Sequence, residues 1–260
     1  MKDTWQSGSA YERYMGRWSR RVAEAFVDWL SPKSGLRWLD VGCGSGALSE
    51  AAIERHEPAS VTAVDQSEGF VRTASRRLGV RATCTVGDAL LLPLDDASCD
   101  IAVSGLVLNF IGEPARVLSE MRRVTGRDGT VAVYIWDYAG KMDLLTTFWD
   151  AVVGLDPDAS GLHEGRRFRD ANAAALSETF RQAGLCAIET TPIEIATDFV
   201  DFDDYWTPLL GGQGPAPTYV SSLEAADRDR LRELLRRSLP VQQDGSISLT
   251  ARAWAIKGVA

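Results

Sequence analysis

Lysine is scarce in this chain. Of 28 basic residues only Lys2, Lys33, Lys141 and Lys257 are lysine, the acids number 36, and the net charge is −8 with no run of basic residues. Binding to nucleic acid rests on clustered cations that neutralise phosphates, so a nucleic-acid partner is not expected. Histidine is scarcer still, with only His56 and His163, and the four cysteines (Cys43, Cys84, Cys99, Cys186) form no C-x-x-C pair. This predicts neither a metal site nor a disulfide framework; free thiols fit a reducing, cytoplasmic setting. No apolar run approaches the ~18 residues of a membrane span, and the polar stretch 1–10 lacks the apolar core of a signal peptide. A membrane partner is therefore not expected. Internal repeats and low-complexity tails are missing as well.

What is present is a repeated strand–helix rhythm. After an amphipathic helix over 10–30, with Trp18, Val22, Phe26 and Trp29 near one stripe and a stop at Ser31-Pro32, strands are predicted at 36–41, 60–65, 81–86, 99–104 and 130–136. Helices over 46–55, from Ser67 to Leu78 and near 114–125 separate them, which argues for a parallel, doubly wound sheet. Beyond Trp136 the rhythm breaks. Residues 137–169 mix a helical stretch (144–153) with loop chemistry. A helix over 170–183 and a strand over 185–194 follow. Residues 198–247 are a long interruption containing a glycine–proline loop (211–217) and a leucine-bearing helix stopped by Pro240. A last strand covers 247–258.

The most informative segment is Leu39-Asp-Val-Gly-Cys-Gly-Ser-Gly-Ala47, a strand running through a glycine-spaced turn into a helix. Glycine permits positive φ and close backbone approach, and a helix N-terminus offers unpaired N–H groups. Gly42, Gly44 and Ala47 fit the looser dinucleotide fingerprint. Asp40 ahead of alternating glycines at 42, 44 and 46 fits a different ligand, because a pyrophosphate gains nothing from a carboxylate whereas an α-ammonium group does.

The pattern Asp40-x-Gly42-x-Gly44-x-Gly46 resembles motif I of class I S-adenosylmethionine (SAM) dependent methyltransferases. The N-terminal Tyr11-Glu-Arg-Tyr-Met-Gly-Arg-Trp18 resembles the bacterial small-molecule members of the ubiquinone-biosynthesis type. The resemblance implies an α/β, Rossmann-like sheet of seven mostly parallel strands, the last antiparallel, with an α-helical cap made by insertions. It divides the chain into a SAM-binding half (1–136), a cap insertion (137–169), a core helix and strand (170–197), a second cap insertion (198–247) and a terminal core strand (248–260). It implies SAM as cofactor, with S-adenosylhomocysteine as product. By position, Asp65 serves the ribose hydroxyls, Gln66, Asp88 and Ala89 the adenine, and Ser104 the region beside the methyl-transfer centre. Tyr14 and Arg17 fall at the methionine end. The segment Arg123-Val-Thr-Gly-Arg-Asp-Gly129 resembles the family's R-V-L-K-P-G-G turn, with Asp128 taken as the replacement for its proline.

Methyl transfer from a sulfonium needs alignment, and a base only if the acceptor must lose a proton. Candidates on the acceptor side are Asn109, Asp137, Tyr138 and His163. Trp149, Tyr205 and Trp206 are candidate contacts for a ring-bearing small molecule, or else the core of the insertions themselves. The expected activity is methylation of O, N or C of a small, aromatic-leaning acceptor. The alternatives are a nucleic-acid or protein methyltransferase on the same fold, an NAD(P)-dependent oxidoreductase, disfavoured by Asp40 and by the lack of a Tyr-x-x-x-Lys pair, and a non-catalytic SAM-binding protein.

Overall fold

The computed structural model describes residues 12–212 and 214–260. The sequence expectations that touch 1–11 and Gln213 lie outside the described residues. A single π-helical turn (Glu12–Gly16) leads into α1 (Arg17–Leu30). Trp18, Val22, Phe26 and Leu30 are its buried stripe, while Trp29 is only half-buried. The core then alternates as β1 (Arg37–Val41), α2 (Ala47–His56), β2 (Ser60–Asp65), α3 (Glu68–Leu78), β3 (Thr83–Val86), β4 (Cys99–Gly105), α4 (Pro114–Val124) and β5 (Thr125–Trp136). Ser67 caps α3 by accepting from Phe70 N at 3.4 Å, as its position ahead of the helix predicts. The remaining elements are α5 (Asp143–Leu155), α6 (Glu164–Arg167), α7 (Ala173–Gln182), β6 (Cys186–Phe199), α8 (Phe202–Trp206), α9 (Pro215–Ser222), α10 (Ala225–Ser238) and β7 (Ile247–Val259).

The seven strands form one sheet in the order β3-β2-β1-β4-β5-β7-β6. The pairs β1–β2, β2–β3, β1–β4 and β4–β5 are parallel. β7 runs against β5, since Ala260 N donates to Gly129 O and Asp137 N to Arg252 O. Leu39, Val41, Ala102, Val131 and Val133 are fully enclosed, as parallel strands covered on both faces require. The chain reverses direction across the sheet at β1 and β4, so the carboxyl ends of those strands flank the switch point where α/β folds bind ligands.

Two expectations change here. β5 begins at Thr125, not 130: Cys99 pairs with Thr125 and Ile101 with Thr130, so residues 126–129 bulge out of the ladder. Asp128 in that bulge has φ 62, a value closed to proline, whose ring locks φ near −65°. Asp128 therefore stands where a glycine would serve, and Arg127 takes the proline's place. The expected loop 211–217 is also shorter than predicted. Pro215 and Pro217 lie in the first turn of α9, after Gly214 at φ 90. The missing N–H of proline costs nothing there, because those donors have no helical partner.

The chain divides into two compact units. One comprises Ser19–Ile135, Ala171–Ile193 and Ala253–Ala260; the other comprises residues through Trp18, Trp136–Asp170 and Glu194–Arg252. The first holds the parallel strands and a core of Leu39, Val117, Leu118, Met121, Val133, Phe180 and Ile256. The second is mainly helical and aromatic: Trp149 packs edge-on to Phe148, 5.8 Å from Tyr219, and Phe202 stacks on Trp206 at 6.4 Å. Among the described residues no helix is long and apolar enough to cross a membrane, and no group of His, Cys, Asp and Glu is arranged to hold a metal ion.

Candidate functional site

β1 delivers Asp40 and then the glycine turn at the switch point. Gly42, Gly44 and Gly46 have φ 72, 52 and 86, so three of five consecutive residues occupy the left-handed region that costs other residues ~1–2 kcal/mol each. Gly42 N and Cys43 N both donate to Val64 O, at 2.7 and 3.0 Å, which ties the turn to β2. The glycines serve different ends. A Cβ on Gly42 would lie 2.6 Å from a methyl of Val107, while a Cβ on Gly44 would meet nothing within 4 Å. Gly42→Ala is therefore expected to lose more stability than the ~1–2 kcal/mol of backbone strain that Gly44→Ala loses. Urea titration of the two variants checks this; equal losses would refute the packing role of Gly42.

Two carboxylates bracket the turn. Asp40 is 2 % exposed, and its Oδ2 accepts from Ser49 N (3.1 Å) and Ser49 Oγ (2.7 Å), capping the first turn of α2. Its Oδ1 is buried without a hydrogen-bond partner among the described residues. Burial pushes the Asp40 carboxyl up to about 7, against the pull of the two Ser49 bonds. Asp65, at the end of β2, accepts from Gly44 N at 2.9 Å through Oδ2 and from Ser67 N at 2.8 Å through Oδ1. Burial raises it too. One lone pair on each Asp65 oxygen is left for a diol. An orphaned buried acceptor, a half-used carboxylate and an open glycine are what a ligand with an ammonium group and a ribose needs, so these residues fit SAM.

The other predicted cofactor residues are more scattered in environment. Gln66 is exposed. Asp88 is exposed and its carboxylate accepts from Leu90 N at 2.9 Å, a turn-forming bond. Ala89 packs against the main core, and Ser104 is buried. Tyr14 and Arg17 belong to the second unit. The Tyr14 hydroxyl is buried without a partner among the described residues, and burial, with the Glu164 carboxylate next in importance, raises its phenol well above the ordinary value. Arg17 grips both oxygens of Asp204 at 3.0 Å and lies 4.7 Å from the Phe199 ring.

On the acceptor side, Asn109 sits half-buried in a short 3-10 turn (Leu108–Phe110) after β4. Asp137 is committed to Arg252, whose Nη2 and Nε reach it at 2.6 and 2.7 Å, and to Gly140 N at 2.8 Å. Tyr138 lies 5.0 Å from Phe168, ring to ring. The Nδ1 of His163 accepts from Gly165 N at 3.0 Å, and its Nε2 is 3.5 Å from Asp150. Burial lowers its imidazole below the ordinary value. Trp149 is fully enclosed with its indole N–H on Glu164 at 2.9 Å. The Tyr205 hydroxyl donates to Leu144 O at 2.8 Å, and Trp206 is buried on Phe202.

Sequence reasoning missed three residues. Ser49 has no motif of its own; its role exists only because α2 folds back on Asp40. Leu106, directly after β4, takes φ 62, a strained conformation for a branched side chain, and its N–H donates to Tyr134 O of β5 at 2.8 Å. Glu164 is 3 % exposed, and in the sequence nothing but its neighbour His163 marks it.

A doubly wound sheet with a glycine turn and two acids at its switch point defines a Rossmann-like cofactor-binding protein. Residues 39–133 match the family described as "Methyltransferase domain". The chain is 30 % identical over 196 residues to a malonyl-[acyl-carrier protein] O-methyltransferase of Geobacter sulfurreducens, covering 73 % of this chain and 71 % of that protein. A namesake from Serratia marcescens is 33 % identical over 152 residues, 56 % of this chain and 58 % of that one. A ubiquinone/menaquinone biosynthesis C-methyltransferase of Roseobacter denitrificans is 29 % identical over 115 residues, 42 % of this chain and 46 % of that one. The chain thus spans about half to seven-tenths of the length of these relatives. The fold matches phosphoethanolamine N-methyltransferase 2 of Haemonchus contortus in complex with S-adenosyl-L-methionine, with TM-score 0.58 and 18 % identity, over 97 % of this chain and 56 % of that one. The chain belongs to the SAM-dependent methyltransferases, and SAM is its cofactor.

Proposed function

We propose that this protein transfers the methyl group of SAM to a small organic acceptor. The observation that carries the reading is the turn 42–46, open at Gly44 and bracketed by a carboxylate with an orphaned buried oxygen and another with unused lone pairs. Bound SAM supplies a methyl group already activated by its sulfonium charge. The chain's part is to hold that cofactor and exclude water. In this reading Asp40 serves the ammonium, Asp65 the ribose diol, and Asp88 with Gln66 and Ala89 the base. Asn109 and Tyr138, which follow β4 and β5, are proposed to orient an acceptor; Asp137 and His163 are engaged by neighbours. Trp149, Tyr205 and Trp206 are proposed to favour a flat acceptor. The acidic balance of the chain supports a small molecule over nucleic acid.

Calorimetric titration with SAM, S-adenosylhomocysteine and NAD tests the reading. Both adenosyl compounds are expected to bind and NAD not to; binding of NAD alone would overturn it. A screen of carboxylic, phenolic and amine acceptors for methyl transfer then separates an enzyme from a binding protein.

Asp40 makes the apoprotein sensitive to pH. Its folded-state value of about 7 lies above the ordinary 3.8, so between those limits the folded state holds a proton that the unfolded chain has released. The contribution of this group to stability is therefore present at the acid end, falls as pH rises towards 7 and is level above it. Asp40→Asn is expected to remove that part of the slope in thermal unfolding. A bound ammonium favours the ionised carboxylate, so SAM affinity should rise with pH up to about 7 in the native protein and stay flat in the variant. Parallel pH profiles for the two proteins would exclude Asp40.

A further inference from the structure

The second unit carries a pocket that shares only Trp206 with the residues assigned above to methyl transfer. It has a volume of about 260 Å³ and is lined by Trp206 of α8, Leu210, Val220 and Ser221 of α9, and Arg228, Asp229 and Arg232 of α10. Arg228 and Arg232 stand four residues apart, on one face of α10. Arg232 is held in place: its Nη2 donates to Asp203 at 2.9 Å and its guanidinium lies 5.9 Å from the Phe202 ring. Its Nε is enclosed and meets no acceptor among the described residues. Arg228 makes no side-chain ion pair among the described residues, although Arg230 and Arg236 on the same helix are paired with Asp227 and Glu233.

Three features point the same way. An enclosed donor without an acceptor costs free energy until an acceptor arrives. Two like charges four apart on a helix repel, and an anion between them relieves this. Guanidinium groups present planar forks that match carboxylate and phosphate oxygens. Of the remaining lining, Trp206, Leu210 and Val220 are apolar and have no use for a bare ion, and the Ser221 hydroxyl donates to Pro217 O. We propose that this pocket binds a small amphipathic anion, a carboxylate or phosphate monoester on a short apolar stem. The anion sits against Arg228 and Arg232 and the stem against Trp206, Leu210 and Val220. Asp229, in the same lining, opposes the anion and limits its affinity.

The test is calorimetric titration of the full chain with hexanoate, hexyl phosphate, inorganic phosphate and hexanol. Hexanoate and hexyl phosphate are expected to bind, and the tighter of the two assigns the head group. Arg228→Gln and Arg232→Gln should each weaken binding about tenfold, the loss of one charge-assisted contact. Asp229→Asn should strengthen it. SAM affinity, measured on the same variants, should not change. If an arginine variant also loses SAM affinity, its fold is in doubt and Asp229→Asn decides, because misfolding does not tighten binding. The proposal is overturned if hexanol binds as well as hexanoate, if inorganic phosphate binds as well as hexyl phosphate, if no anion binds, or if neither arginine substitution nor Asp229→Asn changes the affinity.

Discussion

Replacing Arg252 by methionine is expected to cost about 3–5 kcal/mol of folding stability, the loss typical of removing one partner of a buried ion pair. The carboxylate of Asp137 is 6 % exposed and the Arg252 side chain 24 %, so water cannot take over the contacts that Arg252 makes at 2.6 and 2.7 Å. Gly140 N would remain as a donor to Asp137, one hydrogen bond against a whole buried charge. The loss is a large part of the ~5–15 kcal/mol that holds an ordinary domain together. Adding Asp137→Asn to the methionine variant removes the stranded charge and should recover much of it. Urea denaturation of the two single variants and the double variant measures the coupling. A methionine variant within about 1 kcal/mol of the native protein would mean that the pair is solvated in solution. The outcome bears on function too, because it separates a structural Asp137 from one free to take a proton.

The second large effect is expected on ligand affinity. Asp65→Ala should weaken SAM binding by about 1.5–3 kcal/mol, the worth of hydrogen bonds to a charged acceptor, or roughly 10- to 150-fold. Asp65 also accepts from Gly44 N and Ser67 N, so the variant loosens the glycine turn as well as losing the diol contact. Adenosine, which has the ribose and lacks the amino-acid tail, distinguishes these. A ribose role predicts weaker adenosine binding in the variant, while a turn-holding role alone leaves adenosine unchanged. Asp65→Asn keeps one acceptor oxygen and should fall between. Unchanged SAM affinity in a folded Asp65→Ala protein would remove Asp65 from the site.

Much of the core was legible because its signals are local. The glycine spacing at 42, 44 and 46 states directly where φ must be positive, and the structure has all three there. Ser67 announces α3 because a hydroxyl just ahead of an apolar-periodic stretch satisfies a helix donor. The seven-stranded, mostly parallel sheet followed from the strand–helix alternation and the family resemblance together. Misreadings fell where one residue type serves two geometries. Proline at 215 and 217 looked like a loop although it starts α9, and the turn at 126–129 proved to be a bulge inside β5.

The sequence by itself determined the βα architecture, the glycine turn and the acids at 40 and 65, since each depends on backbone propensity and short spacing. Only the tertiary structure decided what those side chains touch. It placed Ser49 on Asp40, left one Asp40 oxygen without a partner, bound Asp137 to Arg252 across 115 residues of chain, and set Arg228 and Arg232 beside Trp206. The physical reason is that burial and partnership are properties of segments far apart in sequence. A carboxylate's chemistry is set by its surroundings, and no spacing rule along the chain carries that information.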